Sequence, residues 1–534
     1  MQRREFLEGV GRAVALGLVA GWPAEASPLA RKPSRLRCAA PELERDGPLA
    51  HVLATVGPQR MLVKASFREP TARRPVLRVG NRYVAGRPTS RGGRFWIFDV
   101  RSLRPGLRYT LELQDGYKGC PHADAWTLAT FPAPEAFPRR FRALVYTCAG
   151  GHDLFHLYVP VPIRRRLLRR ALDFAPDAVI AIGDHVYWDL RSFPSALFTG
   201  ASPQARAFAG DFDRDAPVLG HPNESVLQRA VDGQIAELYG TLLRSVPVFF
   251  LRDDHDYFED DRASDELVTF PADPFMRALA RATQWLYYPE LLPDPTRPPL
   301  PGSHAPDRPG GVSEAFGTLR YGRLVELLLY DCKGFLGGAQ GGLVPLAVET
   351  WLRERLAHSD AVHVVNVPSN PVGWSAGKYA EWYPDVVAGG RLTDTVPKAG
   401  WGPAWLAQHD RLLAASSQRT GLPLFLSGDI HSIAEARIVR SGALDLSRNP
   451  VVSLISGTPG TRWGWPSLAR GGLAGTPTAI DSEPVVPVQE VNGFHLVDFE
   501  PGRVTIRHFR WDLETQPEEA IDTLQPFHVS IYRT

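Results

Sequence analysis

"AIGDHVYWDL", residues 181–190, begins on the last residues of a short apolar run and breaks at Gly183 and Asp184, with Tyr187 three residues on. Read with what precedes it, "PDAVIAIGD" (176–184), it is a buried strand that finishes on a carboxylate. The pattern recurs. "RALVYTC" (142–148) ends at Cys148, "VPVFFLRDDHD" (246–256) reaches Asp254 and His255, and "LPLFLSGDIH" (422–431) delivers Asp429 and His431. Open α/β sheets bind ligands at the carboxyl edge of their strands, so these ends are expected to share one crevice. Carboxylates gathered there would repel one another in a low dielectric, and a multivalent cation would remove that cost.

Two readings of "GDHVY" stand side by side. If the chain turns helically after Asp184, residues i and i+3 lie on one side, so Asp184 and Tyr187 reach one ion. Alternatively Asp184 caps a helix on which Tyr187 packs. Asp253 and Asp256 are expected to orient His255 or cap local structure. His152, His185 and Asp189 are expected to surround the site without ligating it.

Upstream, residues 38–131 show short alternating runs such as "RMLVKASF" (60–67) and "GRFWIFDV" (93–100), which read as a small β-sandwich. Tyr109, after a Pro-Gly turn, is expected to close a corner of it. "FPAPEAFPRR" (131–140) resists helix and strand, placing a linker at 132–140. Residues 141–534 then mix apolar strands with helical patterns, an α/β domain. One helix is expected to start at an Asn223 cap and to bury Val231, Ile235, Leu238 and Leu242. The Pro/Gly-rich stretch 289–311 is expected to form a lid or a surface insertion.

With 60 Lys+Arg against 58 Asp+Glu and no long basic run, no field draws the chain to nucleic acid. The first 26 residues pair Arg3 and Arg4 with Phe6 and Leu7, then give a short apolar stretch and small residues at Ala24 and Ala26. That is a twin-arginine signal peptide, so the export machinery is an expected partner and the mature chain is expected to be periplasmic or secreted. No segment is apolar for the roughly 20 residues that span a bilayer, so no stable membrane anchor is expected. Cys38 and Cys120 are free to pair with each other, although connectivity is not fixed by the sequence.

Three of these elements, "GDHVY", "DDHD" and "SGDIH", in that order, resemble the G-D-x-x-Y, D-D-H-E and G-D-x-H elements of the PhoD-like alkaline phosphatases among the calcineurin-like metallophosphoesterases. The likeness extends to "LGGAQ" before "ETWLRERL" and "WLAQHDRLL" before "LFLSGDIH". It implies a metallophosphoesterase β-sandwich core flanked by helices, a four-layer α/β/β/α arrangement, behind a small fibronectin-like all-β domain. It further implies that Cys148, Asp184, Tyr187 and His431 hold iron, expected as Fe3+. Asp184 would bridge to a second ion, calcium foremost or else manganese or zinc, completed by Asp254 and Asp429. The chemistry agrees, since thiolate, phenolate and carboxylate suit a trivalent ion and carboxylates a hard divalent one.

One departure concerns the substrate. After "LLLYD" the family pattern has D-x-R, whereas this chain reads "DCKGF" (331–335), so Lys333 offers a point charge in place of arginine's fork. The expected activity is hydrolysis of small phosphate esters, monoester or diester, by a metal-bound hydroxide at a dinuclear site, with His255 contacting phosphate or protonating the leaving oxygen. The alternative is an inactive extracytoplasmic binding module on the same fold. A metal-independent serine esterase and an H-E-x-x-H zinc enzyme rank below both.

Overall fold

Strand ends decide where the chemistry sits, and the strands form where the apolar runs predict them. The structure is a computed structural model describing residues 47–153, 158–188, 208–257, 272–292, 313–337, 340–462 and 466–534. The signal peptide 1–26, Cys38, Asp189 and most of the stretch 289–311 lie outside the described residues. Cys120 is disulfide-bonded, and Cys148 and Cys332 are free thiols.

Between Leu49 and Ala129 the chain makes two four-stranded antiparallel sheets. The Tyr109 hydroxyl accepts a hydrogen bond from the Arg104 backbone N–H at 2.7 Å, which ties the corner before its strand. Lys64 lies buried in the strand Met61–Phe67. Its ammonium donates to the carbonyls of Gln284 and Trp285 and to Glu290, at the C-terminal end of the helix Pro274–Tyr287, where the dipole favours a cation. Residues 131–140 contain neither helix nor strand.

Beyond them, a six-stranded sheet runs in the order Val248–Leu251, Ala178–Ile182, Phe141–Thr147, Asn492–Glu500, Arg503–Trp511, His528–Arg533. Its first three strands are parallel, with Thr147, Ile182 and Leu251 at one edge. In a second sheet the strands Val325–Tyr330, His363–Pro368, Leu424–Ser427 and Val451–Ile455 are also parallel neighbours. Parallel strands put all their carboxyl ends on one edge, so each sheet presents a row of such ends.

Alternation within the strands divides their side chains between two cores. Ala143, Val145, Ile180, Ile182 and Leu251 share a buried cluster with Leu327, Leu329, Val365 and Leu426 of the other sheet. Leu144, Tyr146, Val179 and Ala181 instead pack with helical residues such as Leu167, Leu168 and Leu279. Burial on both faces is why these strands read as unbroken apolar runs.

The helix after residue 220 begins two residues earlier than the sequence suggests. Pro222 occupies its first turn and His221 is the cap, its side chain accepting from the Asn223 backbone N–H. Asn223 instead donates to the carbonyls of Asp213, Ala216 and Pro217, bracing the loop before the helix. The expected apolar face forms, with Val231, Ile235 and Leu238 buried and Leu242 packed against it. Its middle, Asp232–Ala236, winds as a π-helix. Among the described residues no helix is long and apolar enough to cross a membrane.

Candidate metal centre

Three of the four strand ends turn sharply as they deliver their side chains. Cys148, Asp184 and Asp429 have φ of 51°, 56° and 71°, a left-handed backbone that costs a residue with a Cβ about 1–2 kcal/mol. Such strain persists only where the surroundings hold it. Asp256 does so beneath Asp184: its carboxylate accepts from the backbone N–H groups of Asp184, His185 and Val186 and of Asp253, at 2.9–3.1 Å. Thr147 joins three ends, lying 3.1 Å from Cys148 Sγ, accepting from the Asp429 N–H at 3.2 Å and donating to the Ile182 carbonyl. The glycine of "GDHVY" is dictated by space as well as φ, because a Cβ on Gly183 would stand 2.4 Å from Asp253 Cβ.

Further polar residues fix the walls. Gln234, on the π-helical turn, accepts from the N–H groups of Gly151 and Tyr187 and donates to the Tyr187 carbonyl. Arg164 is buried and donates to the carbonyls of Ala149, Gly150 and Gly151, fastening the loop after Cys148. Neither was legible as part of the site, since both act from helical stretches distant in sequence.

Within these walls the expected donors meet. Cys148 Sγ donates to Asp184 Oδ2 at 3.3 Å, the Tyr187 hydroxyl donates to the same oxygen at 3.1 Å, and it lies 3.0 Å from His431 Nε2. Residues 185–188 form no helix, so neither helical reading of "GDHVY" describes the turn, yet the phenol and the carboxylate do meet on one side of it. Neighbouring ligands about 2.1 Å from one ion stand about 3.0 Å apart, so this thiol, carboxylate, phenol and imidazole fit a shared metal.

Electrostatics point the same way. Burial, followed by the nearby Asp184 charge, pushes the Cys148 thiol and the Tyr187 phenol well above their usual ranges. Burial and then the neighbouring carboxylates of Asp254 and Asp253 push Asp184 well above the carboxylate range. Without a cation the thiol and the phenol hold their protons; with one, the same burial strengthens the attraction.

A second group lies beside the first. One ligand atom each from Asp253, Asp254 and Asp429 falls within 4.8 Å of the others, a spacing at which two carboxylates repel by about 3 kcal/mol at an effective dielectric of 20. Here the compensating charge is in the chain. Lys378 donates to both Asp254 Oδ2 and Asp429 Oδ1, and Lys333 Nζ lies 3.3 Å from Asp429 Oδ2. Burial raises Asp254, but Lys333 and Lys378 outweigh it and hold the carboxyl well below its usual range. Lys333, expected to face phosphate, thus faces carboxylates.

The remaining residues sort by position. His255 donates its backbone N–H to Asp184 Oδ1 at 3.3 Å, and its ring lies 4.3 Å from that of Tyr187. His185 is fully buried, its Nε2 2.5 Å from the Leu251 carbonyl and its ring edge-on to those of Phe250 and Tyr288. Lys378 was missed because it lies ten residues beyond the strand His363–Pro368, in irregular chain. The segment before it, "GWSAG" (373–377), does have the spacing of a serine-hydrolase elbow. Ser375 Oγ, however, is spent on Glu381 Oε2 at 2.5 Å and on the Gly377 N–H at 2.8 Å, which makes it a loop brace.

No protein-family model matches the chain, and no curated protein matches it. Among solved structures the chain is similar to PhoD, at 14% identity over 92% of either chain and a TM-score of 0.59. It is also similar to the purple acid phosphatase PPD1 from yellow lupin (Lupinus luteus) seeds, at 11% identity over 91% of this chain and 74% of that one, TM-score 0.53. At these identities the likeness is one of fold, and it agrees with the resemblance to PhoD-like enzymes carried by the three strand-end motifs.

Proposed function

We propose that this chain is an exported, metal-dependent phosphoric ester hydrolase, a phosphomonoesterase or phosphodiesterase of the PhoD-like kind. The convergence of Cys148, Asp184, Tyr187 and His431 from three strand ends carries the reading. The same reading takes the two sheets as a four-layer core and the sheets before Ala129 as a fibronectin-like domain. Cys148, Asp184, Tyr187 and His431 would hold iron, which supplies Lewis acidity and lowers the pKa of a water from 15.7 towards about 7. The second ion implied by the resemblance, calcium, manganese or zinc, would fall to Asp184, Asp254 and Asp429.

The chain's own groups do the rest. His255, beside Tyr187 at the margin of the centre, is the proton donor to the departing oxygen or a contact to phosphate. Buried walls exclude bulk water from the thiol and phenol.

In oxygen-18 water a single turnover is expected to place one label in the phosphoryl product. Unlabelled product would mean that the ester breaks at its carbon–oxygen bond, and that phosphorus is not attacked by water. A metal-loaded protein that turns over no member of a monoester and diester panel would return the chain to a binding module. Export is tested separately: with Arg3 and Arg4 both changed to lysine, the precursor is expected to stay in the cytoplasm, and unchanged export would refute the twin-arginine route.

A further inference from the structure

The second position departs from the metal set that the resemblance implies. Asp254 and Asp429 face each other with the Lys378 ammonium between them, bonded to one oxygen of each. Lys333 approaches from another side, 3.3 Å from Asp429, 3.7 Å from Asp254 and 3.7 Å from Asp253. None of these five side chains is more than 2% exposed. The oxygens a divalent ion would need are therefore already bonded to positive charge that belongs to the chain, and two ammoniums carry the charge of one such ion.

Lys378 is held there by a built loop. The Ser375 and Gly475 backbones exchange hydrogen bonds at 3.0 Å, Ala376 N–H donates to Glu381 at 2.7 Å, and Gly377 N–H to Ser375 Oγ at 2.8 Å. Gly377 has φ +73°, and a Cβ on it would stand 2.6 Å from the Val387 nitrogen, so the segment has little room to move. The side chain leaves this braced turn directly into the carboxylates.

Taking the phosphoesterase reading for what the first position holds, we infer that Lys378, backed by Lys333, is the second cation of the centre, and that the chain binds a single metal ion. A divalent ion entering between Asp254 and Asp429 would meet an ammonium at close range with no solvent to screen it. Expelling the ammonium would leave it buried without its partners. An ammonium stabilises negative charge and donates hydrogen bonds, but it has no coordination position to offer and does not acidify water. Water activation therefore falls to the first position alone, while the second position neutralises charge whatever the supply of divalent ions.

The test counts ions on the full-length mature protein by elemental analysis and native mass spectrometry, with and without excess Mn2+ or Ca2+. Wild type is expected to hold about one ion per chain under both conditions. Lys378→Met frees the carboxylates and is expected to raise the count to about two in excess Mn2+, whereas Lys378→Arg keeps the charge and stays at about one. A second ion in wild type overturns the inference, as does a folded Lys378→Met protein that gains none. If that variant does not fold, the wild-type count in excess Mn2+ decides by itself. A wild type without any ion whose Lys378→Met variant gains one would refute the first position and leave the lysine assignment standing. One ion with no phosphoester turnover would refute the function alone.

Discussion

Cys148→Ser is expected to strip the first position of its metal and stop phosphoester turnover together. The thiol is fully buried, 3.3 Å from Asp184 and 3.1 Å from the Thr147 hydroxyl, so a serine hydroxyl keeps both hydrogen bonds and the fold. What it cannot keep is the charge. A thiol pushed up by burial still ionises beside a metal, whereas an alcohol buried in the same place holds its proton. Loss of outer contacts alone typically costs a metal site 10- to 100-fold, so loss of a direct donor is expected to lower iron affinity and kcat/KM by at least ~100-fold. Elemental analysis beside a thermal melt checks this. Wild-type iron content in the variant would remove Cys148 from the donor set.

Asp184→Asn is expected to go further, abolishing turnover while making the metal-free protein more stable. Asp184 is the carboxylate shared by Cys148 and Tyr187 and it also accepts from the His255 N–H, so its loss is expected to cost at least ~1,000-fold in kcat/KM. The fold pays for that carboxylate. It is buried against Asp254 and Asp253, and its backbone is left-handed, a conformation asparagine tolerates as well as any residue with a Cβ. The turn itself is held through its N–H groups by Asp256, which the substitution leaves in place. Removing one buried like charge is expected to raise the melting temperature in chelator by about 1–4 °C. A lower melting temperature would mean that Asp184 serves the fold more than the centre.

How far the sequence reaches is clearest at "RDDHD". Its apolar lead-in, "VPVFF", announces a buried strand, and the polar run announces a strand end at the ligand edge. The three aspartates are interchangeable in sequence, yet the structure gives them separate tasks. Asp254 is gripped by Lys378, Asp253 faces Lys333, and Asp256 holds the turn beneath Asp184. Which carboxylate turns which way depends on the neighbouring strand, and no local periodicity encodes it. His221 supplanting Asn223 as a helix cap is a smaller case of the same kind, decided by Pro222 in the first turn.

By itself the sequence determined the strands, the edge at which they end, and the chemical identity of Cys148, Asp184, Tyr187 and His431, because burial on both faces of a parallel strand leaves an apolar signature with an abrupt polar stop. Only the tertiary structure decided that Lys378 reaches the carboxylates of Asp254 and Asp429. A lysine in irregular chain carries no pattern of its own, and its partners are set by which distant segments the packed sheets bring within hydrogen-bonding distance.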